Sequence, residues 1–235
     1  MQVAVVTGAS KGLGRQTAIA LGRSGYRVAV NYHHSPKEAE EVVLGVGVQS
    51  TTVKADVGSF QDVEEMARKV FDKWGRIDVL INNAGITRDG LMINYGEDDW
   101  DEVLRVNLKG CFNTAKSIAP LMMQSGGGHI INISSHSGLR GKVGQAAYSA
   151  SKASVIGLTY SLAKELGAYN IKVNCVLPGY MPTEMGMHAQ GAMKQAGEES
   201  ILGCLSDPGE VAGFIAYLVT TETVTGQVFC LDSRV

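Results

Sequence analysis

A tyrosine and a lysine four residues apart, in the stretch AAYSASK, are the side chains of this sequence best suited to moving a proton. If the stretch is helical, Tyr148 and Lys152 share one face, so the ammonium can lie beside the phenol. A nearby cation favours the ionised form of a phenol, which makes the phenol a usable general acid or base near neutral pH. The pair therefore predicts proton-transfer chemistry at Tyr148.

A second pair with the same spacing, Tyr160 and Lys164, follows in the same stretch. A glycine-containing loop precedes Tyr148, and before that loop lies an apolar run that ends in Ser134 and Ser135. Tyr160 lies in mid-helix with no such serine loop before it. We therefore interpret Tyr160 as a packing or partly exposed residue.

A glycine-rich turn, TGASKGLG (7–14), follows the first apolar run and opens the first helical stretch. Glycines at this position let the backbone approach a pyrophosphate, which the N-terminus of the helix then receives. The segment 8–12 also matches G-x-S-x-G, the nucleophile turn of α/β-hydrolases, in which an N–H from an earlier loop stabilises the oxyanion. Too few residues precede Ser10 to form that earlier strand and loop. A nucleotide-binding turn is therefore favoured, with a hydrolase or a purely structural turn as alternatives.

Short apolar runs alternate with helical periods along the whole chain. The predicted strands are 3–7, 27–32, 50–55, 78–83, 129–134, 171–176 and 227–231. The predicted helices are 12–24, 36–46, 59–74, 97–124, 148–168 and 208–219. Because the runs are apolar nearly throughout, we expect strands covered on both sides. The pattern predicts an α/β fold, a single domain over 1–235 with a doubly wound, mostly parallel, seven-stranded sheet and helices on both faces.

The composition excludes several functional classes. The chain has 235 residues and a formal net charge of −2, which gives no electrostatic attraction to nucleic acid or to an anionic membrane. The four cysteines form neither a CxxC motif nor a zinc-type cluster, and no metal site is expected. We find neither a signal peptide nor an apolar run long enough to span a membrane, so a reduced, cytoplasmic protein is expected.

Further motifs complete a family resemblance. NNAG (82–85), NLKG (107–110), ISSHSG (133–138) and PGYMPT (178–183) occur with the two motifs above. Their order and spacing resemble the short-chain dehydrogenase/reductase family over essentially the whole chain. Within that family the sequence is most similar to the 3-oxoacyl-[acyl-carrier-protein] reductases. The resemblance implies a Rossmann fold and a nicotinamide cofactor.

The resemblance also implies a catalytic set. It consists of Asn107, Ser135, Tyr148 and Lys152. Ser135 would hydrogen-bond the substrate carbonyl, and Tyr148 would deliver the proton as the nicotinamide delivers hydride. Lys152 would hold the nicotinamide ribose and tune the phenol, and Asn107 would hold a water. Ser135 is preferred over Ser134 because its distance from Tyr148 along the chain matches that of the family.

The end of the second strand bears on the choice of cofactor. NAD sites carry an acid there, which binds the ribose 2′-hydroxyl. This sequence has Asn31 instead, and Lys11 with His33 or His34 could attract a 2′-phosphate, so NADP(H) is favoured. The full set of predicted cofactor-binding residues is Gly8, Ser10, Lys11, Gly12, Leu13, Gly14, Asn31, His33, Asp56, Val57, Asn83, Ala84, Gly85, Tyr148, Lys152, Pro178, Gly179 and Thr183. Within it, the resemblance places Asp56 and Val57 against the adenine.

The Met- and Gly-rich segment 180–206 occupies the position of the family's substrate lid. A pliable apolar lid suits an acyl chain. The favoured function is NADPH-dependent reduction of a 3-oxoacyl thioester, carried on acyl carrier protein or coenzyme A. A reductase of another carbonyl (a cyclic ketone, a sugar or a polyketide) and a non-enzymatic nucleotide sensor are the alternatives. The resemblance implies a homo-oligomer, a tetramer or dimer, although the ending LDSRV departs from the glycine pair of similar proteins.

Overall fold

The computed structural model describes residues 1–47, 49–183 and 190–234. In it, seven strands form one sheet in the order β3-β2-β1-β4-β5-β6-β7, and every neighbouring pair is parallel. The fold is the doubly wound α/β fold that the alternating pattern predicts. The sheet is wholly parallel rather than mostly parallel.

The strands lie within two residues of their predicted bounds. They are β1 (Val3–Val6), β2 (Arg27–Tyr32), β3 (Thr51–Lys54), β4 (Val79–Asn82), β5 (Gly128–Ile133), β6 (Ile171–Pro178) and β7 (Val228–Leu231). The helices are α1 (Gly12–Arg23), α2 (Pro36–Val46), α3 (Phe60–Trp74), α4 (Glu97–Leu104), α5 (Gly110–Gln124), α6 (Ser137–Arg140), α7 (Ala146–Leu166), α8 (Gln190–Glu199) and α9 (Pro208–Leu218).

Two apolar cores cover the two faces of the sheet. One packs α1, α2 and α9 against side chains such as Ala4 and Val6 of β1. The other packs α3, α5 and α7 against the alternate side chains Val3 and Val5. Successive residues of β1 therefore face opposite cores, which is why this strand is apolar throughout.

The predicted helix 97–124 is wrong in part, because a π-helical turn, Arg105–Lys109, interrupts it between α4 and α5. The predicted lid segment, 180–206, contains α8 and a turn before α9. The residues of this predicted lid at 184–189 lie outside the described residues.

The strand order reverses between β1 and β4, because β2 and β3 lie on one side of β1 and β5 to β7 lie on the other. The carboxyl ends of strands at such a point leave a crevice between the loops that follow them. Across the part of the chain that is described, no helix is both long and apolar enough to cross a membrane.

Candidate active site

A cleft of about 820 Å³ opens at this reversal point. It extends from the glycine-rich turn after β1 to Tyr148 and Lys152 on α7. The predicted site residues that line it are Gly8, Lys11, Gly12, Leu13, Asn31, His33, Asp56, Val57, Asn83, Ala84, Gly85, Tyr148, Lys152, Pro178 and Thr183. One cavity thus brings together motifs that lie far apart in the sequence.

Tyr148 and Lys152 lie side by side on the first turns of α7. The Lys152 ammonium lies 5.7 Å from the centroid of the Tyr148 ring and donates a hydrogen bond to the Ile133 carbonyl oxygen, 2.8 Å away. Lys152 is buried, and this hydrogen bond holds its ammonium between the phenol and the end of β5. The equivalent pair further along α7 has a different setting, since Tyr160 is 46% exposed.

The two serines after β5 have different partners. The Ser134 hydroxyl donates to the Lys152 carbonyl oxygen at 2.7 Å, so it fastens α7 to the end of β5. The Ser135 oxygen accepts the Ser137 amide at 3.2 Å, which leaves its own hydrogen available to another acceptor. Ser134 lines the cleft, whereas Ser135 is not among the described residues that do so.

Asn107 lies in the π-helical turn and is fully buried. Its amide oxygen accepts the Ile86 amide at 2.8 Å, and its nitrogen donates to the Ile86 carbonyl and the Ser151 hydroxyl at 3.0 Å each. The extra residue of a π turn disrupts the regular helical ladder, and here the turn presents Asn107 to the loop after β4. Asn107 also lies beside Lys152, since a Cβ on Gly85 would come within 3.4 Å of both their side chains.

The glycine-rich turn requires its glycines. Gly8 and Gly12 have φ angles of +58° and +55°, in the left-handed region that glycine tolerates best. A Cβ on Gly14 would overlap the Asn83 side-chain nitrogen, which donates to the carbonyl oxygens of Thr7 and Gly8 at 2.9 and 3.1 Å. Lys11, the N-cap residue of α1, and the first helical residues Gly12 and Leu13 line the cleft, and the first amide groups of a helix have no partner within it.

Beyond the turn, the end of β2 forms another wall of the cleft. The Asn31 oxygen accepts the Gly8 amide at 3.1 Å, and its nitrogen donates to Ala55 at 3.1 Å, so this amide supports the turn from within. The Lys11 ammonium lies 3.5 Å from a Glu38 carboxylate oxygen at the start of α2.

Comparison with known proteins identifies the family of the chain that forms this cleft. The profile of the short chain dehydrogenase family matches residues 2–194. The chain belongs to the short-chain dehydrogenase family. A 3-oxoacyl-[acyl-carrier-protein] reductase of Synechocystis sp. is 42% identical, over 98% of this chain and 95% of that protein. The 3-oxoacyl-[acyl-carrier-protein] reductases FabG of Staphylococcus epidermidis and Staphylococcus aureus are 41% and 42% identical, each over 95% of this chain and 94% of that protein.

This short-chain dehydrogenase cleft also contains residues that the sequence did not reveal. They are Ala55, Ile86, Thr87, Arg88, Asp89, Glu102, Arg105, Val106, Ile133, Ser134 and Met181, and His34, which the sequence offered as an alternative to His33, lines the cleft as well. Conversely, Ser10, Gly14, Asn107, Ser135 and Gly179 were predicted but are absent from its lining within the described ranges. Gly14, Asn107 and Gly179 pack behind the surface. A Cβ on Gly179 would overlap the Ser206 hydroxyl and approach the Asp232 carboxyl.

Two buried thiols, Cys111 and Cys175, lie near Lys152. Burial raises the pKa of Cys111 to about 11 and that of Cys175 to about 12, although the Lys152 charge acts in the opposite direction. Both are therefore neutral and unsuited to act as nucleophiles. Cys230, in contrast, is exposed on the edge strand β7.

Proposed function

We propose that this short-chain dehydrogenase reduces a 3-oxoacyl thioester to the 3-hydroxyacyl form with NADPH. The observation that carries the proposal is the single cleft that joins the glycine-rich turn to Tyr148 and Lys152. The relatives named 3-oxoacyl-[acyl-carrier-protein] reductase, which match nearly the whole chain, support the substrate class.

The residues present fit a dinucleotide. Gly8 and Gly12 line the cleft beside the start of α1, where the N-terminus of the helix can receive a pyrophosphate, and the cleft continues past Asp56 on one side and to Lys152 on the other. Lys11 and the histidines after β2 favour NADPH over NADH, because they can attract a 2′-phosphate. Asn31, in the position of the usual acid, is neutral and is used to support the turn.

The chain's own residues supply the proton chemistry. A bound reduced nicotinamide would supply hydride to the substrate carbon. Tyr148 donates its phenolic proton to the carbonyl oxygen, while the hydrogen of the Ser135 hydroxyl binds the same oxygen. The buried Lys152 ammonium stabilises the phenolate that remains. Asn107 fixes the loop after β4 beside Lys152, and the water link expected there stays a prediction.

An apolar surface beside the cleft supports an acyl substrate over a sugar. Gly90 and Gly144 join two loops through a backbone hydrogen bond of 2.8 Å. The neighbouring Ile93 and Val143 are 88% and 86% exposed. Exposed apolar side chains in these two loops, which neighbour the cleft-lining residues Asp89 and Tyr148 in the sequence, suit contact with an acyl chain.

The test is NADPH oxidation by the purified chain with 3-oxoacyl thioesters of coenzyme A and of acyl carrier protein, against cyclic ketones, sugars and polyketide-like ketones. We expect the thioesters to give the highest kcat/KM. A preference for another carbonyl would contradict the substrate, and tight NADPH binding without turnover of any carbonyl would favour a nucleotide sensor. A homo-oligomer and a cytoplasmic location stay predictions.

A further inference from the structure

Arg105 opens the π-helical turn and lines the cleft beside Asp56. Its Nη1 donates to Asp56 Oδ2 at 2.7 Å. Its Nε and Nη2 donate to the two carboxylate oxygens of Glu102 at 2.5 and 2.9 Å. One guanidinium thus bridges a carboxylate after β3 and a carboxylate on α4.

The bridge fixes the direction of the Asp56 carboxylate. While Oδ2 accepts from Arg105, Oδ1 accepts the Gly58 amide at 2.9 Å. Each carboxylate oxygen can accept about two hydrogen bonds, so each keeps one acceptor position whose direction is set by the bond already made. Asp56 therefore offers the cleft oriented acceptors rather than a freely rotating charge.

Gly58 gives the guanidinium its space. A Cβ at this position would overlap Arg105 Nη1. Gly58 does not have a left-handed φ angle, so an alanine there suits the backbone, whereas its Cβ would lie 2.6 Å from Cζ and 3.1 Å from Cγ of Arg105 and displace that side chain.

The charges around the guanidinium favour a ligand that donates hydrogen bonds. Two carboxylates share the Arg105 guanidinium, so its donors are used within the bridge and Asp56 presents acceptor oxygens. The hydrogen bond from Arg105 lowers the pKa of Glu102 despite its partial burial, so that carboxyl stays ionised. A ligand that presents an acceptor atom to Asp56 would meet repulsion there.

We propose that Arg105 is a positioning residue that holds Asp56 to accept a hydrogen bond from the 6-amino group of adenine, and that it thereby makes the cleft selective for adenine over 6-oxopurines. The inference rests on the proposed function, in which Asp56 meets the adenine of the cofactor. A 6-oxopurine such as hypoxanthine has a carbonyl oxygen in place of the amino group, and a carboxylate cannot bind that oxygen.

Equilibrium binding tests the proposal without turnover. The fluorescence of NADPH and of its hypoxanthine analogue on binding gives two dissociation constants for each protein. We expect the unmodified chain to bind NADPH at least about tenfold more tightly, the effect of one hydrogen bond to a charged group. Arg105→Ala and Gly58→Ala should each reduce this ratio to below about threefold by the same reasoning. Arg105→Lys, which cannot bridge both carboxylates, should give an intermediate ratio.

The matched control is Arg76→Ala. Arg76 forms an equivalent pair with Asp78, at 2.5 Å, just before the start of β4 and so at the end of the strands away from the cleft. We expect Arg76→Ala to leave the ratio of the two dissociation constants unchanged. Gly58→Ala keeps the arginine and its charge, so it carries the test if Arg105→Ala does not fold.

The outcomes separate this inference from the proposed function. A ratio that stays the same or rises in both Arg105→Ala and Gly58→Ala overturns the role of Arg105 while leaving the cofactor proposal intact. Equal binding of both dinucleotides by the unmodified chain overturns the proposed hydrogen bond from the 6-amino group of adenine to Asp56. Binding of neither dinucleotide overturns the cofactor proposal and this inference with it.

Discussion

Tyr148 and Tyr160 lie on the same helix, each followed four residues later by a lysine, and their surroundings differ. Tyr148 lines the cleft, and its lysine is buried and hydrogen-bonded to the end of β5. Tyr160 is 46% exposed and Lys164 is exposed as well. The local pattern is common to both pairs, so only the position of each in the fold distinguishes them.

Replacing each tyrosine in turn tests this distinction. Tyr148→Phe removes the proton donor, so we expect turnover to fall by about 10²–10⁴, the range for a general acid. The change removes only one hydroxyl from the cleft, so we expect the affinity for NADPH to stay nearly the same. Tyr160→Phe should leave turnover within a few-fold and change the free energy of unfolding by less than about 1.5 kcal/mol. Loss of turnover in Tyr160→Phe but not in Tyr148→Phe would refute the assigned active site.

Lys11→Ala tests the choice of cofactor at the level of one side chain. The ammonium lies near Glu38 in an exposed ion pair, which is worth little, so a 2′-phosphate can compete for it. We expect the unmodified chain to bind NADPH at least about tenfold more tightly than NADH, and Lys11→Ala to reduce that preference. Titration of the unmodified chain and of Lys11→Ala with NADPH and with NADH gives the dissociation constants that test this preference. Equal affinities in the unmodified chain, or tighter NADH, would contradict NADPH preference.

At the level of elements, the sequence predicted the strands because most of them are apolar nearly throughout, as in β1, β4 and β6, and their bounds agree with the structure within two residues. The π-helical turn was not predictable, because the helical period continues through Arg105–Lys109 and the turn depends on hydrogen bonds from Asn107 to a distant loop. The bridge from Arg105 to Asp56 was missed for the same reason, since it joins residues 49 apart in the chain.

His129, on β5, makes the stability of the folded chain depend on pH. Burial, followed by the nearby Lys172 charge, lowers the pKa of His129 from 6.5 to about 4. The unfolded chain therefore binds a proton at this position between these values while the folded chain does not, so stability falls as the pH is lowered through this range. The loss from this one group amounts to at most about 3 kcal/mol.

Urea unfolding at pH 7.5 and pH 4.5 measures the effect. We expect His129→Gln to show a smaller loss of unfolding free energy between the two pH values than the unmodified chain. His34→Gln, at an exposed position, is the control and should retain the full loss. An unchanged pH dependence in His129→Gln would show that other groups cause it.

At the level of the whole molecule, the cleft draws on both halves of the sheet. Gly8 and Asp56 in loops and Asn31 at the end of β2 belong to the β1 to β3 side, whereas Tyr148 and Pro178 belong to the β5 and β6 side. A ligand in the cleft therefore links the two halves through contacts that neither half makes alone. Away from the cleft, the C-terminal residues pack on their own chain, since the Ser233 carbonyl accepts the Ile201 amide at 3.0 Å and Arg234 forms an ion pair with Asp232.

Thermal unfolding with and without NADPH tests this linkage, and two buried glycines of α1 form a matched pair for it. At a hundredfold excess over Kd, a ligand adds about 2.7 kcal/mol, which for a chain of this size raises Tm by roughly 5–10 °C. Gly14→Ala introduces a Cβ against Asn83 and the turn, so it should lower the Tm of the free protein and remove most of the rise with NADPH. Gly22→Ala introduces a Cβ against Val46, away from the cleft, so it should lower the Tm but keep the rise. A full rise in Gly14→Ala would mean that the cofactor does not depend on the glycine-rich turn, and the assignment of the cleft would have to be abandoned.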